Sequence, residues 1–387
     1  MKKKIAILGS TGSIGKTCLK IISKDKKSFK VELLSAKKNY KLLLSQAYKF
    51  RVKNLIITDK KYYNLAKSKK IKSIKIFNNF NELKKIFPKK IDYVMSSIVG
   101  LNGLDPTIKI VKHTKKIAIA NKESIICGWN LINKELHKYK TQFIPVDSEH
   151  FSVWYALRNN LNNNIDKIYL TASGGSLLNV KKHKFNKLKI SDILKHPNWN
   201  MGKKITIDSS TLMNKVFEVI EAKKIFNLDY KQIGIIIHPQ SFIHAIIKFS
   251  DGMVKIIAHE TTMKIPIYNT IYPNQIYNDN KKNLNIKKLN QANFLNVSIK
   301  KFPSIKIIKK LPNISSLYET VLVTANDEFV KLYLNKKINY SDIIEKTAKI
   351  INRREFLVFK KFLPRNISDV INTSKIVRNK IESIYLK

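Results

Sequence analysis

Acidic residues are scarce in this chain of 387 residues. It has 27 Asp and Glu against 74 Lys and Arg, so its formal net charge is +47 at pH 7. A charge of this size suggests a nucleic-acid or membrane-surface partner. The lysines, however, are spread over every segment, whereas a nucleic-acid footprint normally clusters. We therefore predict no specific nucleic-acid partner and attribute the charge to a compositional bias that also favours Ile and Asn.

Cysteine and long apolar runs are also rare. Cys18 and Cys127 lack metal-site spacing and fall in predicted helices, which predicts buried free thiols in a reducing compartment. The first apolar run ends at Gly9, too early for a signal peptide. No uninterrupted stretch approaches the ~20 apolar residues of a membrane span. We expect a cytoplasmic protein without a membrane partner.

The first 150 residues alternate between strand-like and helix-like patterns. Helical periodicity covers, for example, residues 14–23 and 104–113. The predicted strands are residues 4–8, 30–35, 54–58, 73–77, 93–98, 116–120 and 142–146. This alternation predicts an α/β fold with a doubly wound, mostly parallel sheet.

The rest of the chain is patterned differently. Predicted strands over 167–171 and 233–237 flank a polar loop and a helix over 213–226, and a hairpin turns at residues 250–252. Helices are predicted over 317–334 and 340–351. The predicted domains are a doubly wound domain over 1–150, an α+β domain over 151–285 with its loop at 173–204, a linker over 286–311 and a helical domain over 312–387.

A glycine-rich loop, GSTGSIG at residues 9–15, follows the first predicted strand and opens a helix. Its glycines permit a tight turn, and the helix N-terminus offers free N–H groups to a diphosphate. The alternative is an ordinary strand-to-helix turn. The second predicted strand ends in Lys37, Lys38 and Asn39 without an acid, which favours the 2′-phosphate of NADPH over NAD.

Two of the scarce acids stand close together in FIPVDSEHFSVW, residues 143–154. If the strand continues, Asp147 and Glu149 share a face. Glu218 lies on one helical face with Asn214 and Glu221. Asp147, Glu149 and Glu218 together predict an oxygen-rich site for Mg²⁺ or Mn²⁺.

Several polar side chains suit a phosphate group: Ser173, His196, Ser209, Asn214 and Lys215. Other roles remain open for Ser209 and for two further polar-region residues, His150 and Trp199. Ser209 also suits a helix cap, and His150 suits a packed or capping histidine better than a ligand. Trp199 covers either a ligand or a small core of its own loop. The segment Asn121-Lys122-Glu123 follows a predicted strand, where doubly wound sheets bind ligands.

Ordered motifs give the sequence a specific resemblance. They are ILGSTGSIG, VGLNGL, ANKES, IPVDSEH, TASGG, HPNWNMG, DSSTLMNKVFEVIEA and IHPQS, and TANDEF follows at residues 324–329. The chain resembles the 1-deoxy-D-xylulose 5-phosphate reductoisomerase family of the non-mevalonate isoprenoid pathway. The resemblance is dense over residues 5–266 and thinner in the C-terminal part.

The resemblance implies a fold and residue roles. The fold is an N-terminal Rossmann-like domain, an α+β catalytic domain with dimer contacts and a C-terminal helical domain, in a homodimer. The implied contacts to NADPH are Thr11, Gly12, Ser13, Ile14, Lys37, Lys38, Asn39, Asn121, Glu123 and Gly202. The implied metal ligands are Asp147, Glu149 and Glu218, which are catalytic together with Lys122. The implied substrate contacts are Lys122, Ser148, Glu149, Ser173, His196, Ser209, Asn214, Lys215 and Glu218, and the implied lid residues are Trp199 and Met201.

The implied reaction is rearrangement of 1-deoxy-D-xylulose 5-phosphate, by retro-aldol and aldol steps, followed by reduction by NADPH to 2-C-methyl-D-erythritol 4-phosphate. Two departures stand out. Lys37 replaces a glycine of the family, and Leu177 and Leu178 replace an aromatic residue and an arginine, which predicts a more loosely packed lid. The alternatives are another NADPH-dependent dehydrogenase of a phosphorylated or carbonyl substrate, and a basic nucleic-acid-binding protein.

Overall fold

The computed structural model describes residues 2–158, 164–273 and 284–385. The strands are β1 (Lys3–Leu8), β2 (Phe29–Ala36), β3 (Asn54–Ile57), β4 (Lys75–Phe77), β5 (Tyr93–Ser96), β6 (Lys116–Ile119), β7 (Gln142–Pro145), β8 (Ile165–Ala172), β9 (Ile233–Ile237), β10 (Ile243–Phe249) and β11 (Val254–Ala258). The first helices are α1 (Ser13–Ser23), α2 (Tyr40–Phe50), α3 (Lys60–Lys67), α4 (Leu83–Ile86), α5 (Leu104–Val111), α6 (Lys122–Lys138), α7 (Ser148–Leu157) and α8 (Ile190–Ile193). The later ones are α9 (Lys203–Ser210), α10 (Met213–Phe226), α11 (Lys264–Ile271), α12 (Ile286–Asn290), α13 (Tyr318–Leu334), α14 (Tyr340–Ile351), α15 (Arg354–Leu357) and α16 (Ile367–Tyr385).

The chain divides into two compact units. The first contains the described residues of 2–125, 129–151 and 263–273, and the second contains 126–128, 152–158, 164–262 and 284–385. Part of α6 therefore groups with each unit. The helix has a kink at Gly128, whose φ of −140° is not helical.

A seven-stranded parallel sheet organises the first unit, in the order β4-β3-β2-β1-β5-β6-β7. Its central strands read as continuous apolar runs because helices cover both faces, and Ile5, Ala6, Ile7 and Leu8 of β1 are fully buried. The strand order reverses between β1 and β5. In an open parallel sheet this switch point, at the carboxyl ends of the strands, is where ligands bind.

A four-stranded sheet, in the order β11-β10-β8-β9, organises the second unit. The β10 strand is antiparallel to β8 and β11, and β8 is parallel to β9. Val219 and Ala222 of α10 and Val153 of α7 pack in one apolar core with the sheet. The α13, α14 and α16 helices pack together in the C-terminal part of this unit.

The predicted fold class is confirmed: a doubly wound parallel sheet, a second mixed sheet and a helical C-terminal part are all present. Residues 263–273 belong to the first unit, whereas the predicted boundaries place them in the second domain, because α11 packs against α1. The predicted linker over 286–311 contains α12 and a 3₁₀ helix, Pro303–Lys310. Residues 274–283, which fall in the predicted second domain, lie outside the described residues.

None of the helices in the described ranges combines the length and the apolar character that spanning a bilayer requires.

Candidate active site

The glycine-rich loop lies at the switch point, directly after β1. Gly9 has a φ of +81°, and a Cβ there would come within 2.7 Å of the Ser97 carbonyl oxygen, so this position requires glycine. The turn closes with a hydrogen bond from the Gly12 N–H to the Gly9 carbonyl at 3.1 Å. Since α1 begins at Ser13, its first N–H groups face outward from the turn as donors for an anion.

The end of β2 carries cations and no acid. Lys37 and Lys38 are exposed just after the strand. Glu32 lies inside β2 and pairs with Lys30 at 2.9 Å, so it does not serve as the acid that NAD sites place at the strand end. Asn39 caps α2, where its Oδ1 accepts the Leu42 N–H at 3.2 Å. The two lysines, with no acid beside them at the strand end, suit the 2′-phosphate of NADPH.

Asn121 joins two loops at the start of α6. Its Oδ1 accepts the Ser124 N–H at 2.6 Å, and its Nδ2 donates to the carbonyls of Ile98 and Gly100, the latter at 2.9 Å. The side chain is buried and already engaged with the backbone. It therefore shapes the loop beside the glycine turn, and Glu123 is buried next to it.

Asp147 stands between β7 and α7, and the predicted strand continuation is wrong here. The strand ends at Pro145 and α7 begins at Ser148, so Asp147 and Glu149 do not share a strand face. The Asp147 carboxylate accepts the Glu149 N–H at 3.3 Å, as a helix-capping residue does. That cap is the physical reason for the early helix start, and it still directs both acids to one helix end.

Three groups from the first unit gather at this helix end. The Lys122 ammonium donates to Asp147 Oδ2 at 2.9 Å. Nδ1 of the fully buried His150 lies 3.3 Å from Asp147 Oδ1. The Ser148 hydroxyl donates to the Glu149 carboxylate.

The first two turns of α10 carry three polar groups of the second unit. Asn214 Nδ2 donates to Glu218 Oε1 at 2.5 Å, and Lys215 Nζ donates to Glu218 Oε2 at 2.5 Å. Glu218 and Lys215 are both buried, with side chains 1% and 6% exposed. A buried carboxylate is tolerated here because an ammonium and an amide satisfy it.

His196 links two hydroxyl groups to the loop that contains it. Its Nδ1 accepts the N–H groups of Asn198 and Trp199 at 3.1 and 3.0 Å, so the proton of the neutral ring lies on Nε2. Nε2 lies 3.0 Å from Ser173 Oγ and 3.1 Å from Ser209 Oγ. Burial, and then the charge of Lys215, lower the pKa of His196 to about 4, so the ring is neutral at pH 7.

Ser173 and Ser209 meet because two backbone segments approach closely. The Ser173 hydroxyl accepts the Gly175 N–H at 3.1 Å. Gly175 has a φ of +64°, and a Cβ there would lie 2.7 Å from the Ser210 Cα. The helix-cap alternative for Ser209 is wrong, because Ser209 lies inside α9 and α10 begins after Leu212 in the left-handed conformation.

The predicted lid loop, residues 173–204, contains short helices. It contains a 3₁₀ helix, Lys182–Lys187, and the short α8. Asn198 Nδ2 donates to the Pro239 carbonyl at 2.6 Å and to Ser241 Oγ at 2.9 Å, and the Trp199 ring packs edge-on against His244. Met201 and Gly202 follow just before α9.

The expected looser packing of the lid is not what the described residues show. Leu177 is buried. Leu178 packs in the apolar cluster that contains Leu212 and Phe302. Apolar contacts thus hold this end of the lid.

Each unit contains part of the predicted site. The first unit contains the glycine loop, residues 37–39, residues 121–123 and residues 147–149. The second contains the lid residues Trp199 and Met201 and two contact groups, Ser173 and Ser209 with His196, and Asn214 and Lys215 with Glu218. Sequence reasoning missed a buried contact between Asp208 and Asn326, although the TANDEF motif was a signal for it.

Comparison with known families gives matches along most of the chain. The model of 1-deoxy-D-xylulose 5-phosphate reductoisomerase matches residues 5–128, and that of its C-terminal domain matches residues 143–226. A third model, the DXP reductoisomerase C-terminal domain, matches residues 259–380.

Curated relatives carry the same description. The 1-deoxy-D-xylulose 5-phosphate reductoisomerase of Pelagibacter ubique is 56% identical and aligned over 99% of both chains. That of Clostridium tetani is 36% identical over 99% of this chain and 100% of the relative.

Solved structures are similar over their whole length. The enzyme from Zymomonas mobilis in complex with NADPH has a TM-score of 0.86 at 27% identity, covering 100% of this chain and 99% of that one. A DOX-P reductoisomerase in complex with NADPH, fosmidomycin and magnesium has a TM-score of 0.90 at 28% identity, covering 98% of each chain.

Proposed function

Since the chain belongs to the 1-deoxy-D-xylulose 5-phosphate reductoisomerase family, we propose that it converts 1-deoxy-D-xylulose 5-phosphate to 2-C-methyl-D-erythritol 4-phosphate. It is an NADP-dependent oxidoreductase of the non-mevalonate isoprenoid pathway and requires a divalent metal. The observation that carries the proposal is the cluster around His196. Two hydroxyls and a neutral Nε2–H meet there, and the charge of Lys215 is close enough to act on the ring.

The cluster suits a phosphate monoester. A phosphate oxygen accepts hydrogen bonds from the Ser173 and Ser209 hydroxyls and from His196 Nε2, and the ammonium of Lys215 balances its charge. Asn214 adds an amide donor at the start of α10. Binding at this remote group supplies energy that orients the reacting carbons.

Asp147, Glu149 and Glu218 are the proposed metal ligands. Carboxylate oxygens are the donors that Mg²⁺ and Mn²⁺ prefer, and the proposed set contains no sulfur. Ammonium groups already balance two of these acids, Lys122 at Asp147 and Lys215 at Glu218. When bound, the metal supplies Lewis acidity toward the substrate oxygens.

NADPH is the proposed occupant of the glycine loop. Thr11, Ser13 and Ile14 offer main-chain N–H groups to the diphosphate, Gly12 lets the turn approach it closely, and Lys37 and Lys38 balance the 2′-phosphate. Further proposed contacts are Asn39, Asn121, Glu123 and Gly202. When bound, NADPH would supply the hydride for the reduction that follows the rearrangement.

Side chains around the reacting carbons have further proposed roles. The Lys122 ammonium stabilises negative charge that develops on a substrate oxygen, and Ser148 and Glu149 bind the substrate beside it. The lid residues Trp199 and Met201 exclude water from the reacting carbons.

The assembly and the compartment are finer proposals. We propose a homodimer, supported by the edge strand β11, on which Val254 and Ile256 are 49% and 53% exposed. We propose a cytoplasmic location, supported by the two buried free cysteines. The high charge is proposed to be compositional, without a specific nucleic-acid partner.

An assay of NADPH oxidation with 1-deoxy-D-xylulose 5-phosphate tests the function. We expect turnover with Mg²⁺ or Mn²⁺, none after chelation, and a product with the mass and retention of 2-C-methyl-D-erythritol 4-phosphate. Absence of turnover with both metals contradicts the proposal. The alternative enzyme class, another NADPH-dependent dehydrogenase, includes semialdehyde dehydrogenases, which need an accessible thiolate as nucleophile. Cys18 and Cys127 are both buried, and burial raises the pKa of Cys18 far above its usual value.

A further inference from the structure

The TANDEF motif in α13 makes a buried contact with α9. Asn326 Nδ2 donates to Asp208 Oδ1 at 2.8 Å. The two residues are 0% and 2% exposed. A hydrogen bond from an amide to a carboxylate, made inside the second unit, is strong and directional because water does not compete with it.

Lys204 extends this contact. Its ammonium lies 3.3 Å from Asp208 Oδ2 and 2.8 Å from Asp327 Oδ1. The Asp208 carboxylate is therefore satisfied by an amide and an ammonium at once, as a buried charge requires. Two adjacent residues of α13, Asn326 and Asp327, are thus tied to α9.

The residues that follow Ser209 are held from the same part of the chain. The Tyr340 hydroxyl donates to Ser210 Oγ at 3.0 Å, and the Ser304 hydroxyl donates to the Thr211 carbonyl at 2.6 Å. Asp208, Ser210 and Thr211 therefore all contact residues between 304 and 340. The Ser209 hydroxyl, in contrast, contacts His196 Nε2.

This stretch leads directly into the phosphate-binding end of α10. Leu212 joins α9 to α10 with a φ of +56°, a conformation that a leucine adopts only when its surroundings impose it. Asn214 and Lys215 follow at once. A junction of this kind needs external contacts to stay in one geometry, and the C-terminal helices supply them.

We propose that Asn326 is a positioning residue for substrate binding: by fixing Asp208 it holds the Ser209 hydroxyl and the start of α10 in the geometry that binds a phosphate monoester. The C-terminal helices then determine the affinity for the phosphate group without touching it. This inference rests on the proposed function, since it assigns the phosphate anchor to the cluster around His196.

The test compares three variants of the full-length protein. N326D replaces the amide by a carboxylate of the same size, which repels Asp208 and displaces α9. We expect the KM for 1-deoxy-D-xylulose 5-phosphate and the Kd for inorganic phosphate to rise by ~10-fold or more, as loss of a hydrogen bond to a buried charge predicts. The KM for NADPH should rise much less than the KM for the sugar phosphate, because Gly202 is the proposed NADPH contact that adjoins α9, whereas the glycine loop and residues 37–39 lie in the first unit.

The exchanged pair D208N/N326D provides the rescue. It again places an amide against a carboxylate and keeps the total charge, so we expect it to recover most of the phosphate affinity that N326D loses. Should N326D fail to fold, N326L has nearly the same shape without the added charge, and we expect the same direction of change in the same measurements.

Thr324 supplies the matched control. Thr324 lies in α13, as Asn326 does, but its hydroxyl makes a buried hydrogen bond at 3.1 Å to Ser374 Oγ of α16, not to α9. T324V should lower the urea midpoint while leaving the KM for the sugar phosphate unchanged. If N326D and T324V change the urea midpoint and the KM for the sugar phosphate in the same way, Asn326 is merely structural and the inference is wrong. The inference is also wrong if the exchanged pair recovers no phosphate affinity. A wild-type protein that neither binds phosphate nor turns over the substrate would instead overturn the proposed function.

Discussion

The Lys122 ammonium lies 2.9 Å from Asp147 Oδ2, in a pair whose side chains are 11% and 22% exposed. In the second unit Lys215 stands in the same relation to Glu218. Each of these two proposed metal ligands therefore has its own cation before any metal binds. We expect a bound metal ion to compete with these lysines for the two carboxylates.

The first prediction concerns the proposed metal ligands. E218Q keeps the size of the side chain and its contact with Asn214, but it removes the charge that a divalent cation needs. We expect turnover to fall at least ~100-fold and metal affinity to fall with it. E345Q, at an exposed acid of α14, is the control and should behave as wild type. Unchanged turnover and metal affinity in E218Q would exclude Glu218 as a ligand.

The second prediction concerns the choice of cofactor. We expect kcat/KM to be higher with NADPH than with NADH, because the end of β2 offers Lys37 and Lys38 to the 2′-phosphate. In K37E/K38E the preference for NADPH should shrink by ~10-fold or more through a higher KM, since two cations become anions. K49E, an exposed lysine on α2, should leave the ratio unchanged. A wild-type preference for NADH would contradict the assignment.

The third prediction follows from the lowered pKa of His196. The unfolded chain gains a proton near the ordinary pKa of 6.5, whereas the folded protein does so only near 4. The unfolded state thus binds more protons between these values, and the free energy of unfolding decreases as the pH falls from 6.5 toward 4. Urea midpoints at pH 7.5 and 5.0 should show that H196Q loses less stability on acidification than wild type. H183Q, at an exposed histidine, should follow wild type, and an equal loss in H196Q would refute the prediction.

The fourth prediction concerns Gly175. G175A adds a Cβ at a φ of +64° and within 2.7 Å of the α9 backbone. We expect a loss of at least ~2 kcal/mol in unfolding free energy and a raised KM for the sugar phosphate, because strain and overlap add.

Gly252 is a matched control for this substitution. It also has a positive φ, +87°, but nothing lies within 4 Å of its Cβ position in the β10–β11 hairpin. G252A should cost only the backbone strain, ~1 kcal/mol, with an unchanged KM. If both variants behave alike in chemical denaturation, close packing of Gly175 on α9 does not matter.

Much of the fold could be predicted because burial leaves a periodic trace in the sequence. The β9 strand and the α10 and α14 helices begin and end where the pattern predicts. The boundary at Asp147 was mispredicted because an apolar run continues past Pro145, while the helix start depends on a side-chain cap that periodicity does not report.

The grouping of residues 263–273 with the first unit was not visible either. An amphipathic helix such as α11 shows that it has a buried face, but not which distant element covers it. Asn326 and Asp208, which are in contact, lie 118 residues apart in the sequence. A single sequence supplies the polar pair, and only the tertiary structure shows that its members meet.

The return of residues 263–273 to the first unit has a consequence for synthesis on the ribosome. Ile267 and Ile271 fill the core beneath α1, the Tyr93 hydroxyl meets Thr270 Oγ1 at 2.7 Å, and Tyr272 donates to Asp25 at 3.0 Å. A nascent chain that has emerged only to residue 151 lacks this layer. More than a hundred further residues must be synthesised before α11 can cover the apolar surface beneath α1. Until then the nascent chain is a natural client for chaperones that bind exposed apolar segments.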